Sequence, residues 1–463
     1  MVKSTNLTLF IIVLFSLSWA SWEHTYGGAT TDLGYAVKQT SDGGYIVAGA
    51  SNSWSGSLAD AYLVKTDGSG NLQWQQTYGG LNGEYFYSVE QTSDSGYIMA
   101  GITNAPFAND VYLLRANSNG NLVWTQTFGG SRDDRGYSAL KTFDGGYIVI
   151  GYTTSFGAGG DDAYLVKTDS GGNMVWQQAI GSNLSDRAYA IRQTQDHGYI
   201  FCGASNAQSG FLTRDAWLVR TDSLGNKLWE KFYGGSGDES ANALYLTSDG
   251  GYILVGATTS IGAGSYDLYI IKTDASGTLQ WEKTYGGSNE EMGWSVSPTS
   301  DGGYFIVGHT ASQGAGGFDV YVLKTDASGN LQWQETYGGA DWDYGRLGHQ
   351  TSDMGYIIAG YTMSYGAGDY DVYLIKRDPG SIKEQATASP YSVKNLSVQP
   401  NPFVTYTKVL TYETSNFSVY DATGRCIGVY SGNRIGENLV PGIYFIKLQN
   451  YNSTAVRVVK IRN

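Results

Sequence analysis

Residues Trp124–Trp176 read WTQTFGGSRDDRGYSALKTFDGGYIVIGYTTSFGAGGDDAYLVKTDSGGNMVW. Trp124–Phe128 alternates apolar and polar residues and stops at Gly129-Gly130. Tyr137–Thr142 is a second short run. Asp144-Gly145 then predicts a type I′ hairpin, whose two central residues need positive φ. Gly146–Thr153 is a third run, Ser155–Gly160 a glycine-rich loop, and Asp162–Thr168 a fourth run. Asp169–Asn173 is a turn, and Met174–Gln177 leads into the next tryptophan. Short runs bounded by Gly, Asp and Asn are the pattern of antiparallel strands, and nothing here has the period of a helix. One unit therefore holds four strands.

The unit repeats. Trp22, Trp74, Trp124, Trp176, Trp229, Trp281 and Trp333 are spaced by 52, 50, 52, 53, 52 and 52 residues. A period near fifty residues marks a solenoid, a propeller or an array, and four-stranded sheets repeated radially are the blades of a β-propeller. The strands that begin at Tyr45, Tyr97, Tyr147, Tyr199, Tyr252, Tyr304 and Tyr356 number seven, and so do the Trp strands, but the two sets are offset. Trp22–Tyr26 precedes any complete unit, and the last unit stops at Asp371–Lys376 with no Trp strand after it. In an open array this would leave an orphan strand and a raw edge that invites aggregation. In a closed ring the first strand completes the seventh blade. The expectation is an all-β seven-bladed β-propeller with four-stranded blades, its N-terminal strand closing the last blade.

The text resembles the secreted bacterial β-propeller repeats of the form YGG…D…GY…T.DGGYIV.GYT, from Trp22 to about Asp378. Asp274–Trp281 also resembles the tryptophan-docking motif of quinoprotein propellers, one residue shorter. That likeness implies a tryptophan packed between neighbouring blades, a structural role, and not a quinone cofactor.

Composition narrows the class. The 463 residues include 64 Gly and 37 Tyr, which disfavours long helices. Gly has no three-residue period, so collagen is excluded. Two cysteines, Cys202 and Cys426, cannot build a disulfide scaffold and read as buried free thiols. A formal net charge of −13 argues against nucleic acid, whose affinity rests on Lys and Arg at phosphates.

The ends carry address information. Lys3, the 11-residue apolar run Leu7–Leu17 and Ser18-Trp19-Ala20 read as a signal peptide over 1–20 with cleavage after Ala20. The run is too short for a membrane helix, so no transmembrane segment is expected in the mature protein. The propeller is expected over 21–378 and a polar linker over 379–390. Residues 391–463 form a different all-β segment with eight Lys/Arg and three Asp/Glu, against 19 and 38 in residues 21–378. This segment resembles the C-terminal sorting domain of the type IX (Por) secretion system, an Ig-like β-sandwich. The matching residues are Pro400, Asn401, Pro402 and Phe403; Val419 to Arg425 with Asp421 and Gly424; Leu439 to Tyr444 with Gly442; and Val458 to Lys460. The resemblance implies type IX-like secretion machinery as a partner, and a protein secreted or held on the outer-membrane surface of a Gram-negative bacterium. An ordinary Ig-like module, as in flagellar hook-capping proteins, is the alternative.

Chemistry is sparser. Asp32, Glu84, Asp134, Asp186, Glu239, Glu291 and Asp343 each stand four residues after the Gly-Gly position. A circle of carboxylates could attract Ca²⁺, the one cofactor to consider. The alternative is that each accepts backbone N–H bonds in its own loop. Asp60, Asp110, Asp162, Asp215, Asp267, Asp319 and Asp371 open the next run but one in each unit. Asp42, Asp94, Asp144, Asp196, Asp249, Asp301 and Asp353 are hairpin residues. The loops that vary between units carry Trp54, Phe107, Phe156, Phe211, Tyr266, Phe318, Tyr365 and Tyr370, and aromatics among small polar residues suit a sugar or protein surface.

No catalytic signature emerges. The four histidines, His24, His197, His309 and His349, fall at unequal positions in their units, so no metal spacing appears. There is no G-x-S-x-G elbow and no P-loop. The expected function is non-catalytic binding of an extracellular glycan or protein. A polysaccharide-active hydrolase of the endoglucanase kind is the second reading and a quinoprotein-like oxidoreductase the third.

Overall fold

Tyr147–Thr153 and Asp162–Thr168 are buried along their whole length, whereas Asp134–Lys141 mixes buried and half-buried residues, and Met174–Ile180 is exposed or half-buried up to Ile180. The four pair antiparallel in chain order: Asp134–Lys141, Tyr147–Thr153, Asp162–Thr168, Met174–Ile180. The gradient follows from position: middle strands are covered on both faces, while edge strands meet open space. The computed structural model describes residues 21–55, 58–105, 108–208 and 213–378. In the C-terminal segment it describes 398–399, 406–409, 416–421, 426–431, 434–435, 439–448 and 456–460.

Seven such sheets follow one another, and the seventh is Asp343–Gln350, Tyr356–Thr362, Asp371–Arg377 and then Trp22–Tyr26. The closing strand pairs antiparallel, from Trp22 opposite Lys376 to Tyr26 opposite Val372. The first strands of the sheets are Asp32–Gln39, Glu84–Gln91, Asp134–Lys141, Asp186–Gln193, Glu239–Leu246, Glu291–Pro298 and Asp343–Gln350. Each packs against the next, and the last packs against the first, so they form the wall of a closed ring. The chain is a seven-bladed β-propeller with the expected closure.

The core lies between blades. Ile148, Ile150, Ala163 and Leu165 of the third blade pack with Ile191, Phe201, Trp217 and Val219 of the fourth. Each outer-strand tryptophan also reaches the next blade. The Trp22 ring lies 5.9 Å from Tyr45 and the Trp74 ring 5.9 Å from Tyr97, both near edge-on. Four residues after Trp22, the Tyr26 hydroxyl donates to the Gly70 carbonyl of the same neighbouring blade. At the break in the chain, the Arg377 guanidinium lies 4.3 Å from the Tyr337 ring and pairs with Glu23 at 3.0 Å.

Two details differ from expectation. The inner strand of the third blade starts at Asp134, not Tyr137, because the backbone of Asp134 is already in register with Thr153 across the sheet. The hairpin is not type I′. Gly145 N–H donates to the Thr142 carbonyl and Thr142 N–H to the Gly146 carbonyl, and only Gly145 has positive φ, at 86°. This is a three-residue loop, a type I turn plus one left-handed residue. Asp144 accepts from the Thr142 hydroxyl and from Gly146 N–H at 3.0 Å, which holds it in that turn. Three blades put a side chain at the left-handed position: Ser95, His197 and Met354, with φ of 64°, 66° and 68°. Met354→Gly should therefore raise stability by about 0.5–1 kcal/mol, read as a higher urea midpoint; an unchanged or lower midpoint would contradict the turn assignment.

On the hairpin face each blade buries one cation from its third strand against the hairpin aspartate. The pairs run from Lys65–Asp42 at 2.9 Å to Lys376–Asp353 at 2.8 Å, with Arg115 and Arg220 in the second and fourth blades. Burial alone would raise Asp42, Asp144 and Asp249, but hydrogen bonds from Thr and Lys outweigh it and hold them at about 2.

Residues Ala386–Asn463 form a separate compact unit. It has a three-stranded sheet and a four-stranded sheet, the latter in the order Cys426–Ser431, Asn416–Asp421, Gly442–Leu448, Val456–Lys460. Asp421 pairs with Tyr444, and Gly442 with Lys460. Tyr444 is buried and its hydroxyl donates to the Val440 carbonyl at 2.8 Å. Pro400, Asn401, Pro402 and Gly424 lie outside the described residues, as do the signal segment with Ala20 and the linker 379–390. Cys202 is a buried free thiol. No helix among the described residues is long and apolar enough to cross a membrane.

Candidate functional site

Strand direction puts two sets of connections on one face of the ring: those entering each inner strand and those between the second and third strands. The first seven carboxylates open the inner strands and are buried. Asp134 Oδ2 accepts from Gly130 N–H at 2.7 Å and from the Ser155 hydroxyl at 2.7 Å. Glu291 accepts from Gly287 N–H at 2.7 Å, the Thr310 hydroxyl at 2.6 Å and Ser312 N–H at 3.1 Å. Asp32, Asp186, Glu239 and Asp343 make equivalent bonds to their own loops, and Glu84 takes the Thr103 hydroxyl. The backbone N–H of six of them, all but Asp134, reaches back one blade, as from Asp32 to the Tyr370 carbonyl at 2.6 Å across the ring closure.

The second seven carboxylates flank the first across each blade junction. Asp162 Oδ1 and Asp186 Oδ2 both lie within 3.0 Å of the point that a Cβ on Gly181 would occupy. Only glycine fits between them, which explains the first glycine of the repeat. Burial raises the carboxyls of Asp60, Asp110, Asp162, Asp319, Asp371 and Glu84. Among the described residues no group of three or more His, Cys, Asp or Glu is placed to hold a metal ion. Asp134→Asn should cost about 0.5–2 kcal/mol, equal with and without Ca²⁺. A melting temperature that rises with Ca²⁺ and loses that rise in the variant would overturn the local role.

The loop aromatics fall into two groups. Trp54, Phe156 and Tyr365 begin their loops and lean on the third strand of their own blade, 5.4 Å from Tyr62, 5.7 Å from Tyr164 and 5.8 Å from Tyr373. Tyr266 and Phe318 end their loops. The Tyr266 hydroxyl donates to Asp238 at 2.8 Å. Phe318 lies 5.9 Å from Trp342, 5.3 Å from Tyr344 and 4.9 Å from His309. Phe107 and Phe211 lie outside the described residues.

The column that breaks the repeat lies three residues beyond the carboxylate. Every inner strand has its register shift there, at Tyr35, Tyr87, Tyr137, Tyr189, Asn242, Trp294 and Arg346. A bulge re-aims its side chain, here toward the axis of the ring. Tyr35–Tyr87, Tyr87–Tyr137 and Tyr137–Tyr189 touch blade to blade, edge-on or tilted, at 5.0, 5.5 and 5.5 Å. Burial raises all four tyrosines, Tyr137 to about 12. Arg346 completes the circuit, its guanidinium 4.4 Å from the Trp294 ring and 5.7 Å from the Tyr35 ring. Sequence reading passed over this column, although aligning the units on the carboxylate exposes it: four tyrosines, then Asn, Trp and Arg.

From this column the aromatic surface climbs to the loop face through Tyr344, Tyr361, Phe318 and the 49% exposed Trp342. His309 braces it. Trp294 Nε1–H donates to His309 Nδ1 at 3.0 Å, and Nε2 faces Glu290 at 3.4 Å. Burial lowers the His309 imidazole, and Arg346 adds to this. Burial, with Lys38 nearby, takes His349 down to about 3. Both histidines have folded values below their ordinary 6.5, so their contribution is complete above pH 6.5 and is lost as pH falls. For His349 the loss is roughly 1.4 kcal/mol per pH unit, or about 2–3 kcal/mol between pH 6.5 and 4.5. His349→Gln should flatten that slope in urea titrations; an equally steep slope would contradict the buried neutral imidazole.

No protein-family profile matches the chain. It is similar to the regulatory protein FlaEY of Caulobacter vibrioides, 21% identical over 277 residues. That match covers 52% of this chain but only 28% of FlaEY. Among solved structures it is similar to the Pan2 WD40 domain of Neurospora crassa, with TM-score 0.47 and 10% identity over 76% of this chain and 90% of that one. It is also similar to YCF48 bound to D1 peptide, with TM-score 0.45 and 12% identity over 77% and 94%. By its own strand pairing, the chain is a seven-bladed β-propeller closed by its N-terminal strand.

Proposed function

We propose that this is a secreted or cell-surface β-propeller that binds an extracellular glycan or protein, without catalysis, where its ring opens on the loop face. The observation behind this reading is the loss of repeat symmetry at Trp294, Trp342, Tyr344 and Arg346. Side chains that serve a blade recur in every blade, whereas side chains that serve a ligand need not. The carboxylate pairs, by contrast, repeat at the blade junctions, and the inner-strand member of each is buried and hydrogen-bonded by neighbouring loop or strand groups, a scaffold pattern. A glycosidase needs two carboxyls facing one open pocket. A quinoprotein needs a positive channel, and among the described residues the bulge column has one cation, Arg346.

The mature full-length protein should capture a ligand from a glycan array or from surface-protein extracts, and Trp342→Ala should weaken capture at least tenfold. Undiminished capture by Trp342→Ala and Tyr344→Ala would sink the placement.

Export through a type IX-like pathway belongs to the same proposal, supported by the sorting-type residues Asp421, Gly442, Tyr444 and Lys460 and the apolar run Leu7–Leu17. A chain lacking 391–463 should accumulate in the periplasm. Its appearance on the cell surface at normal levels would count against a sorting role.

A further inference from the structure

Arg346 is an unusual cation for this protein. Among the half-buried residues of the loop face, three arginines are matched with acids: Arg135 with Asp133 at 2.9 Å, Arg187 with Asp161 at 2.6 Å and Arg214 with Asp238 at 2.8 Å. Arg346 has no such ion pair, although residues 21–378 hold 38 Asp and Glu. Nearby acids are engaged elsewhere. Glu290 faces His309, and Asp343 binds Gly339 N–H and the Ser364 hydroxyl. Arg346 instead lies among the rings of Trp294, Tyr361, Tyr35 and Tyr344, at 4.4, 5.2, 5.7 and 5.8 Å. One Nη donates to the Tyr361 hydroxyl, and its buried Nε has no acceptor. The residue as a whole is only half-buried, so a ligand can reach it.

We infer that Arg346 anchors the carboxylate of an acidic sugar, a hexuronic acid unit at the end of a glycan, where the ring opens on the loop face. This rests on the glycan branch of the reading above. Rings hold the guanidinium flat, and the Nη N–H groups not taken by the Tyr361 hydroxyl are left for a planar carboxylate, which takes parallel N–H bonds from such a fork. The flanking tyrosine and tryptophan faces offer an apolar platform to a pyranose ring, with phenol hydroxyls to bind its own. Charge limits the ligand further. Residues 21–378 hold 19 Lys/Arg against 38 Asp/Glu, so a polyanion is repelled while a single carboxylate is tolerated.

The test is calorimetric titration of the mature full-length protein at low salt. Its probes are cellobiouronic acid, cellobiose and an acetylated tripeptide with a free C-terminus. The acid should bind at least tenfold tighter than cellobiose. Arg346→Gln should reduce that preference to within twofold. Arg346→Lys keeps the charge but not the fork, and should retain only part of the preference. It also serves as the folded control should Arg346→Gln melt early. Equal binding of the two sugars, an undiminished preference in both variants, or binding of the tripeptide alone would each overturn the inference. Absence of binding by any probe overturns it too, while the broader binding reading is judged separately by the array and the Trp342→Ala capture.

Discussion

A mature chain that lacks residues 21–28 is expected to aggregate, with loss of more than about 5 kcal/mol of stability. The deletion removes the outer strand of the seventh blade and leaves Asp371–Arg377 as an unpaired edge. Such an edge is a template for pairing with another chain. It also removes Trp22 and Tyr26, which pack on the first blade beside Tyr45, Val47 and Val64. Loss of a buried aromatic such as Tyr26 costs about 3–5 kcal/mol, and the half-buried Trp22 adds to that. Light scattering and thermal melting give the readout. A truncated protein that stays monomeric with unchanged melting would refute closure by this strand.

Asp353→Asn should cost about 3–5 kcal/mol, more than any other single hairpin change. Its partner Lys376 is 1% exposed at the side chain, and Asp353 itself only 20%, the most buried aspartate of the hairpin set. Removing one partner of a buried pair strands the other charge. Lys376→Met in the same background should recover most of the loss, because no charge is then left uncompensated. The matching change at Asp94, which is 70% exposed opposite Arg115, should cost clearly less. Burial raises the Asp353 carboxyl, but the Lys376 and Thr351 hydrogen bonds outweigh this, and its pKa is held below 3.8. Its contribution is therefore complete above pH 3.8 and is lost as the pH falls further. Chemical denaturation of both singles and the double variant measures the coupling. A double variant no more stable than Asp353→Asn would show that the stranded charge is not the cause.

The ring, its seven blades and the closing strand were legible in the sequence because each depends on a short-range pattern repeated at a fixed period. Trp22 had no unit of its own, and the chain beyond Lys376 had no Trp strand, so arithmetic alone joined them. The hairpin was misread because Asp-Gly is compatible with two turns. The choice of a three-residue loop rests on the side-chain bonds of Asp144 to Thr142 and Gly146.

The candidate site was half legible. Phe318 was chosen for its loop, but its partners Trp342, Tyr344 and His309 come from other connections and strands. Likewise, period-two alternation assigns a residue to one face of a strand and says nothing of what faces it across a ring. The sequence by itself determined the fold and the places where the repeat recurs. Only the tertiary structure brought Arg346 of the seventh blade against Trp294 of the sixth and Tyr35 of the first, because closing a ring juxtaposes residues some three hundred positions apart.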